Sequence, residues 1–188
     1  MTSVHRAWWF LGLLALLLGG CAKPDLGEPS TLVLQERQGR FSVQVQQGAQ
    51  PVDGLQGSFV WRRLSTGWQL DLNSPLGGTL ARLTSTAAGA TLQRPDAPTR
   101  RASSGQELLA SVIGVSIPPE VLLDWIDARV YDQGQVTNLV RDAQGRPTSF
   151  SSGPWRVVLD RYNSSGPGRI TVQSTQAGRD VRLRLVID

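Results

Sequence analysis

Trp68-Gln69-Leu70-Asp71-Leu72-Asn73-Ser74-Pro75-Leu76-Gly77-Gly78 is the stretch that decides the fold. Trp68, Leu70 and Leu72 alternate with Gln69 and Asp71, the period-two pattern of a strand with one face buried and one in water. Proline and two glycines then turn the chain, and a second strand begins near Thr79. The same alternation continues on both sides. Phe59 and Trp61 share a face opposite Ser58 and Arg62, and Phe41, Val43 and Val45 alternate with Ser42, Gln44 and Gln46. Residues 80–84 and 90–93 read as further strands, separated by the turns Thr66-Gly67 and Ala88-Gly89. Towards the C-terminus, Trp155, Val157 and Leu159 alternate with Arg156 and Asp160, and Ile170 and Val172 follow Gly166-Pro167-Gly168. Val181, Leu183, Leu185 and Ile187 form a last strand with Arg182 and Arg184 on its other face, and residues 142–146 read as a hairpin connection.

The middle of the chain changes period. Ser104-Gly105-Gln106-Glu107 has the form of a capping box, Leu108, Leu109, Val112 and Ile113 recur at helical spacing, and Gly114 is a stop. Pro118-Pro119-Glu120 opens a second helix, with Val121, Leu122, Trp125 and Ile126 on one face and Asp124 and Asp127 facing away as solvated acids. A sheet this long must curl to hide its edges. The expected architecture is therefore mainly β: an unclosed antiparallel barrel, or curved sheet, whose apolar concavity is covered by an α-helical lid.

The beginning of the chain has another character. A short polar start with Arg6, an apolar run from Ala7 to Leu18, and Gly19-Gly20 lead to Cys21. The run is shorter than the roughly 20 residues a membrane span needs and has the layout of a secretory leader. A cysteine directly after the small residues is the position at which a bacterial leader is cleaved and a diacylglyceryl group attached. The expected division is a leader over residues 1–20, a lipidated tether and lead-in over 21–37, helical or irregular around 32–37, and one domain over 38–188. Ala22, rather than Asp, after the cysteine points to the outer membrane, so the protein is expected there, lipid-anchored and facing the periplasm.

Composition excludes several chemistries. His5 is the only histidine and leaves with the leader, Lys23 is the only lysine, and Cys21 is the only cysteine. The domain thus lacks the groups for a Ser-His-Asp triad, a Cys-His pair, a Ser-Lys dyad or a histidine metal site. No P-loop or GxGxxG occurs. No enzymatic activity, cofactor or metal is expected. The net charge of +4 is nearly all arginine, dispersed along the chain; it suits an acidic partner or anionic head groups, and nucleic acid is not expected in this compartment.

Several segments, in order, resemble the outer-membrane lipoprotein receptor LolB family. They are Cys21 with its leader, Gly39-Arg40-Phe41, Gly57-Ser58-Phe59-Val60-Trp61, residues 70–77, Leu108-Leu109, Gly114-Val115-Ser116-Ile117-Pro118, Leu122-Leu123-Asp124-Trp125, residues 142–146, Gly153-Pro154-Trp155-Arg156-Val157 and Tyr162. The resemblance implies an unclosed barrel that accepts lipoproteins from the periplasmic carrier LolA, holds their acyl chains and inserts them into the outer membrane. Its partners would be LolA, cargo lipoproteins and outer-membrane lipid, and the protein is expected to act as a monomer. The competing class is a structural or assembly lipoprotein acting only through protein–protein contacts. The residues expected to line the cavity are Phe41, Phe59, Trp61, Leu70, Leu72, Leu109, Val112, Leu122 and Trp125. Sequence alone leaves Leu76, in the turn with Pro75 and Gly77, either projecting from the loop tip or folded back on the sheet. The resemblance implies a loop leucine that delivers cargo into the membrane.

Overall fold

The period-two runs become one antiparallel sheet of eleven strands in a computed structural model that describes residues 31–131, 136–176 and 178–188. The leader, Cys21 and most of the tether lie outside the described residues. In chain order the elements are β1 (Val33–Gln47), β2 (Gln50–Leu64), β3 (Gly67–Asn73), β4 (Thr79–Thr86), β5 (Gly89–Arg94) and β6 (Ala97–Ala102). Then come the helices α1 (Gly105–Ile113) and α2 (Pro119–Ile126), followed by β7 (Val136–Arg141), β8 (Pro147–Ser152), β9 (Trp155–Asn163), β10 (Gly166–Gln176) and β11 (Arg179–Ile187).

The spatial order is β6-β5-β4-β3-β2-β1-β11-β10-β9-β8-β7. The first and last strands therefore meet in the middle, and two meanders run outward from them. The edges β6 and β7 are not paired with each other, so the sheet is unclosed. They are joined in sequence by the two helices, which must cross between the edges, and they do so over the apolar face. Apolar side chains form continuous cross-strand rows on that face. Trp61, Leu70, Leu83 and Leu92 are in register across β2 to β5, and Phe41, Leu185, Ile170 and Leu159 across β1, β11, β10 and β9. All eight are buried.

Two local expectations are corrected. The helical or irregular reading of residues 32–37 gives way to strand, because β1 already begins at Val33 and pairs with Leu64 of β2. Leu32, Val33 and Leu34 remain exposed, while Gln35 and Arg37 are half-buried. An alternation carried by polar residues does not read as a strand. Ser104 does occupy the N-cap of α1 with extended backbone, but its side chain makes no capping hydrogen bond. Packing fixes this helix start instead: a Cβ on Gly105 would lie 2.4 Å from the Trp68 ring, so only glycine allows the first turn so close. Gly114 ends α1 in the left-handed conformation, donating its N–H to the Ala110 carbonyl at 2.9 Å. Pro119 opens α2.

Candidate functional site: an apolar cavity under two helices

Ten side chains surround a cavity between the helices and the sheet: Phe41, Phe59, Trp61, Leu70 and Leu72 from β1 to β3, Leu183 and Leu185 from β11, Leu109 and Ile113 from α1, and Leu122 from α2. Of the residues named from sequence, Val112 and Trp125 lie elsewhere. Val112 is three residues from Leu109 and falls on the flank of α1; Ile113, four residues on, points at the cavity with Leu109. Trp125 is buried against Phe150 of β8, with ring centroids 5.6 Å apart and planes at 70°. Sequence reasoning missed Ile113, Leu183 and Leu185. The α1 spacing could have shown the first; the other two depend on β11 lying beside β1, which no local pattern reveals.

The cavity is small, about 30 Å³, which is one water molecule's share of liquid volume. A larger hollow of about 430 Å³ lies among polar side chains including Gln44, Arg156, Gln173 and Arg182. These four are in register across β1, β11, β10 and β9 and alternate with the buried apolar positions, so this hollow belongs to the solvated face.

Between β3 and β4 the loop is tightly braced. The Ser74 N–H donates to the Gly78 carbonyl at 2.7 Å, the Gly77 N–H to the Ser74 carbonyl at 2.9 Å, and the Gly78 N–H to Ser74 Oγ at 3.2 Å. Gly77 has φ 87°, which glycine adopts without cost. Leu76, beside Pro75 at the tip, is 97 % exposed. The side chain projects into solvent and does not fold back on the sheet.

An ion-pair cluster ties α2 to the sheet at one end of the concave face, and it corrects the reading of Asp124 and Asp127 as solvated acids. The Asp127 side chain is only 5 % exposed. It accepts from Gln35 Nε2 at 2.8 Å and from Arg37 Nε at 3.1 Å, and it pairs with Arg129 and with Arg63 at 3.7 Å. Asp124 pairs with Arg63 at 3.3 Å and Arg129 at 3.4 Å. Acids at a helix C-terminus oppose the helix dipole, so α2 requires these guanidinium groups. At its other end Glu120 accepts from Trp68 Nε1 at 2.9 Å. A second cluster holds buried Asp71 of β3. Burial opposes its ionisation, but hydrogen bonds from Arg82 and Arg62 outweigh that and hold its carboxyl below the usual carboxylate range.

A family profile described as "Outer membrane lipoprotein LolB" matches residues 35–188, from β1 to the last residue. The chain belongs to the LolB family. It is 36 % identical over 182 residues to the outer-membrane lipoprotein LolB of Bordetella petrii, covering 97 % of this chain and 92 % of that one. The LolB of Cupriavidus metallidurans is 38 % identical over 187 residues (92 % and 90 % coverage), and that of Ralstonia nicotianae is 38 % identical over 164 residues (83 % and 77 %). A solved LolA superfamily protein from Nitrosomonas europaea aligns over 87 % of both chains at 11 % identity and a TM-score of 0.45.

Proposed function

We propose that this member of the LolB family accepts lipoproteins from a LolA-type periplasmic carrier, shelters their acyl chains under α1 and α2, and releases them into the outer membrane. Family membership makes the protein an outer-membrane lipoprotein acting in lipoprotein localisation. The observation that carries the finer reading is the all-apolar cavity between sheet and helices. An acyl chain in water forfeits about 0.8 kcal/mol per methylene, so a chain moves between membranes only inside such a shelter. Direction then requires that the receiver bind better than the carrier and the bilayer better than the receiver.

At about 30 Å³ the cavity is far below the roughly 300–1,000 Å³ of an occupied ligand pocket. An acyl chain therefore enters only as α1 and α2 lift from the sheet, replacing the contacts of Leu109, Ile113 and Leu122. Leu76 serves release. One leucine entering the apolar layer of a bilayer gains at most about 2 kcal/mol, too little to anchor a domain but enough to orient it for delivery. Cys21 carries the acyl anchor, whose two or three chains hold the protein at the membrane. A fluorescent acyl probe tests the cavity: wild-type protein should take it up with saturable affinity, and Leu122→Trp should reduce uptake. Uptake that fails in wild type, or is indifferent to Leu122, would contradict the assignment.

A further inference from the structure

On the solvated face of the sheet, opposite α1 and α2, the arginines fall into two groups. Arg62 and Arg82 share Asp71, Arg62 also holds Glu36, and Arg169 holds Asp160. Arg40, Arg156, Arg182 and Arg184 are exposed and join no carboxylate among the described residues. These four lie together. Arg182 and Arg184 are two residues apart on β11, so they leave the same face about 7 Å apart. Arg40 of β1 is paired with Val186, which puts it diagonally beside Arg184 at about 7–8 Å. Arg156 of β9 lies across Gln173 of β10 from Arg182, two strand spacings or about 10 Å away. Arg156 and Arg182 both line the polar hollow of about 430 Å³. With its amide oxygen turned to the guanidinium, Gln173 accepts from Arg182 Nε at 2.9 Å and Nη2 at 2.8 Å, which fixes that side chain on the face. The nearest acids are committed elsewhere: Asp160 to Arg169, and Asp180, at the rim of the hollow, to Thr175 Oγ1 at 2.6 Å. Even with Asp180 counted, most of the positive charge stays unneutralised. Like charges this close repel one another, and an anionic partner relieves that repulsion.

We propose that this arginine face docks on the membrane through the phosphates of anionic phospholipid head groups. Two observations favour a lipid surface over an acidic protein. Strands β9, β10 and β11 carry no exposed large apolar side chain among the described residues, whereas a protein interface is anchored by aromatic and apolar side chains at its centre. Family membership also places the protein at a membrane, so head groups are always within reach of the face. A guanidinium binds phosphate through two parallel N–H donors. In the docked posture α1, α2 and the cavity beneath them face away from the bilayer, towards the side from which a carrier arrives. The inference does not depend on what the cavity holds.

The test uses the full-length protein in nanodiscs of phosphatidylcholine, with or without about one-third phosphatidylglycerol, each holding a trace of lipid with a nitroxide on its head group. A fluorescent amino acid is introduced at Gln44, which is exposed and in register with Arg182, or, as the control, at exposed Ser111 of α1. Quenching by the nitroxide reports how much of the time that face lies on the bilayer. At Gln44 it should be strong in anionic discs, weak in neutral ones, and lost in about 1 M salt, where the Debye length is about 3 Å. At Ser111 it should be weak throughout. Each arginine contributes about five-fold, so Arg182→Gln with Arg184→Gln should lower the docked-to-free ratio about 25-fold at unchanged melting temperature. Quenching at Gln44 that is equal in the two lipids, that survives the double substitution, or that is weaker than at Ser111 in anionic discs would overturn the proposal. So would a probe at Gln44 that ignores anionic lipid but responds to an added LolA-type carrier, which would assign the face to a protein. The comparison of lipids is made with all four arginines in place, so it decides the matter whether or not the double variant folds.

Discussion

Asp127→Ala, at the residue that caps the C-terminus of α2, should destabilise the domain more than a change at any polar residue within that helix. The carboxylate is 5 % exposed and answers Arg37, Arg63 and Arg129 together with the Gln35 amide. Removing it strands three guanidinium groups, with only Asp124 left to pair two of them. Breaking a buried pair from one side costs about 3–5 kcal/mol. The arginines keep side-chain exposures of 18 %, 34 % and 39 %, so water recovers part of the loss and the lower figure, about 3 kcal/mol, applies. For a domain of this size that corresponds to a fall in Tm of roughly 6–12 °C. Calorimetry or thermal circular dichroism measures it, and Arg63→Ala combined with Asp127→Ala in a double-mutant cycle isolates the coupling. Because the cluster ties α2 to β1 and β2, Asp127→Ala should also speed uptake of an acyl probe. An unchanged Tm would refute the view that the cluster holds the helix down.

Three further outcomes are expected. Leu76→Glu should leave the melting curve within about 0.5 kcal/mol of wild type, since the side chain touches nothing, while cargo is still received and release into vesicles stops; unfolding, or release at the normal rate, would count against the delivery role. Cys21→Ala should take up no radiolabelled palmitate in cells, and labelling equal to wild type would end the lipidation proposal. Asp71 titrates below its usual value of 3.8 in the fold. It therefore stabilises the fold fully above that value and ceases to do so as pH falls through the lower folded value. In melts from about pH 5 to about pH 2, wild type should lose more stability than Asp71→Asn, and equal losses would show that the Arg62 and Arg82 bonds do not favour the charged form.

Most of the sheet was legible because its buried face is written in alternating large apolar residues: Trp68, Leu70 and Leu72 needed no partner strand to be recognised. Segments that bury little were not. In β6 every residue from Ala97 to Arg101 is exposed, and the outer half of β1 turns Gln35 and Arg37 inward, towards α2. Both are strands because of their neighbours and not because of their own pattern. The site divides in the same way. Phe41, Phe59, Trp61, Leu70 and Leu72 followed from strand parity, whereas Leu183 and Leu185 depended on the union of the first and last strands, and the partners of Asp127 on three separate elements. The turn residues around Leu76 announced a loop, but only the brace from Ser74 decides which way the leucine points.

The central claim is that this protein receives acylated cargo from a carrier, and transfer itself measures it most directly. A LolA-type carrier loaded with a lipoprotein bearing a radiolabelled acyl chain is mixed with the protein, and the label on each partner is followed after separation. The account predicts that label moves to wild-type protein without detergent or nucleotide, moves equally to Leu76→Glu, and leaves only wild type when outer-membrane vesicles are added. Label that stays on the carrier in the presence of folded wild-type protein would contradict it.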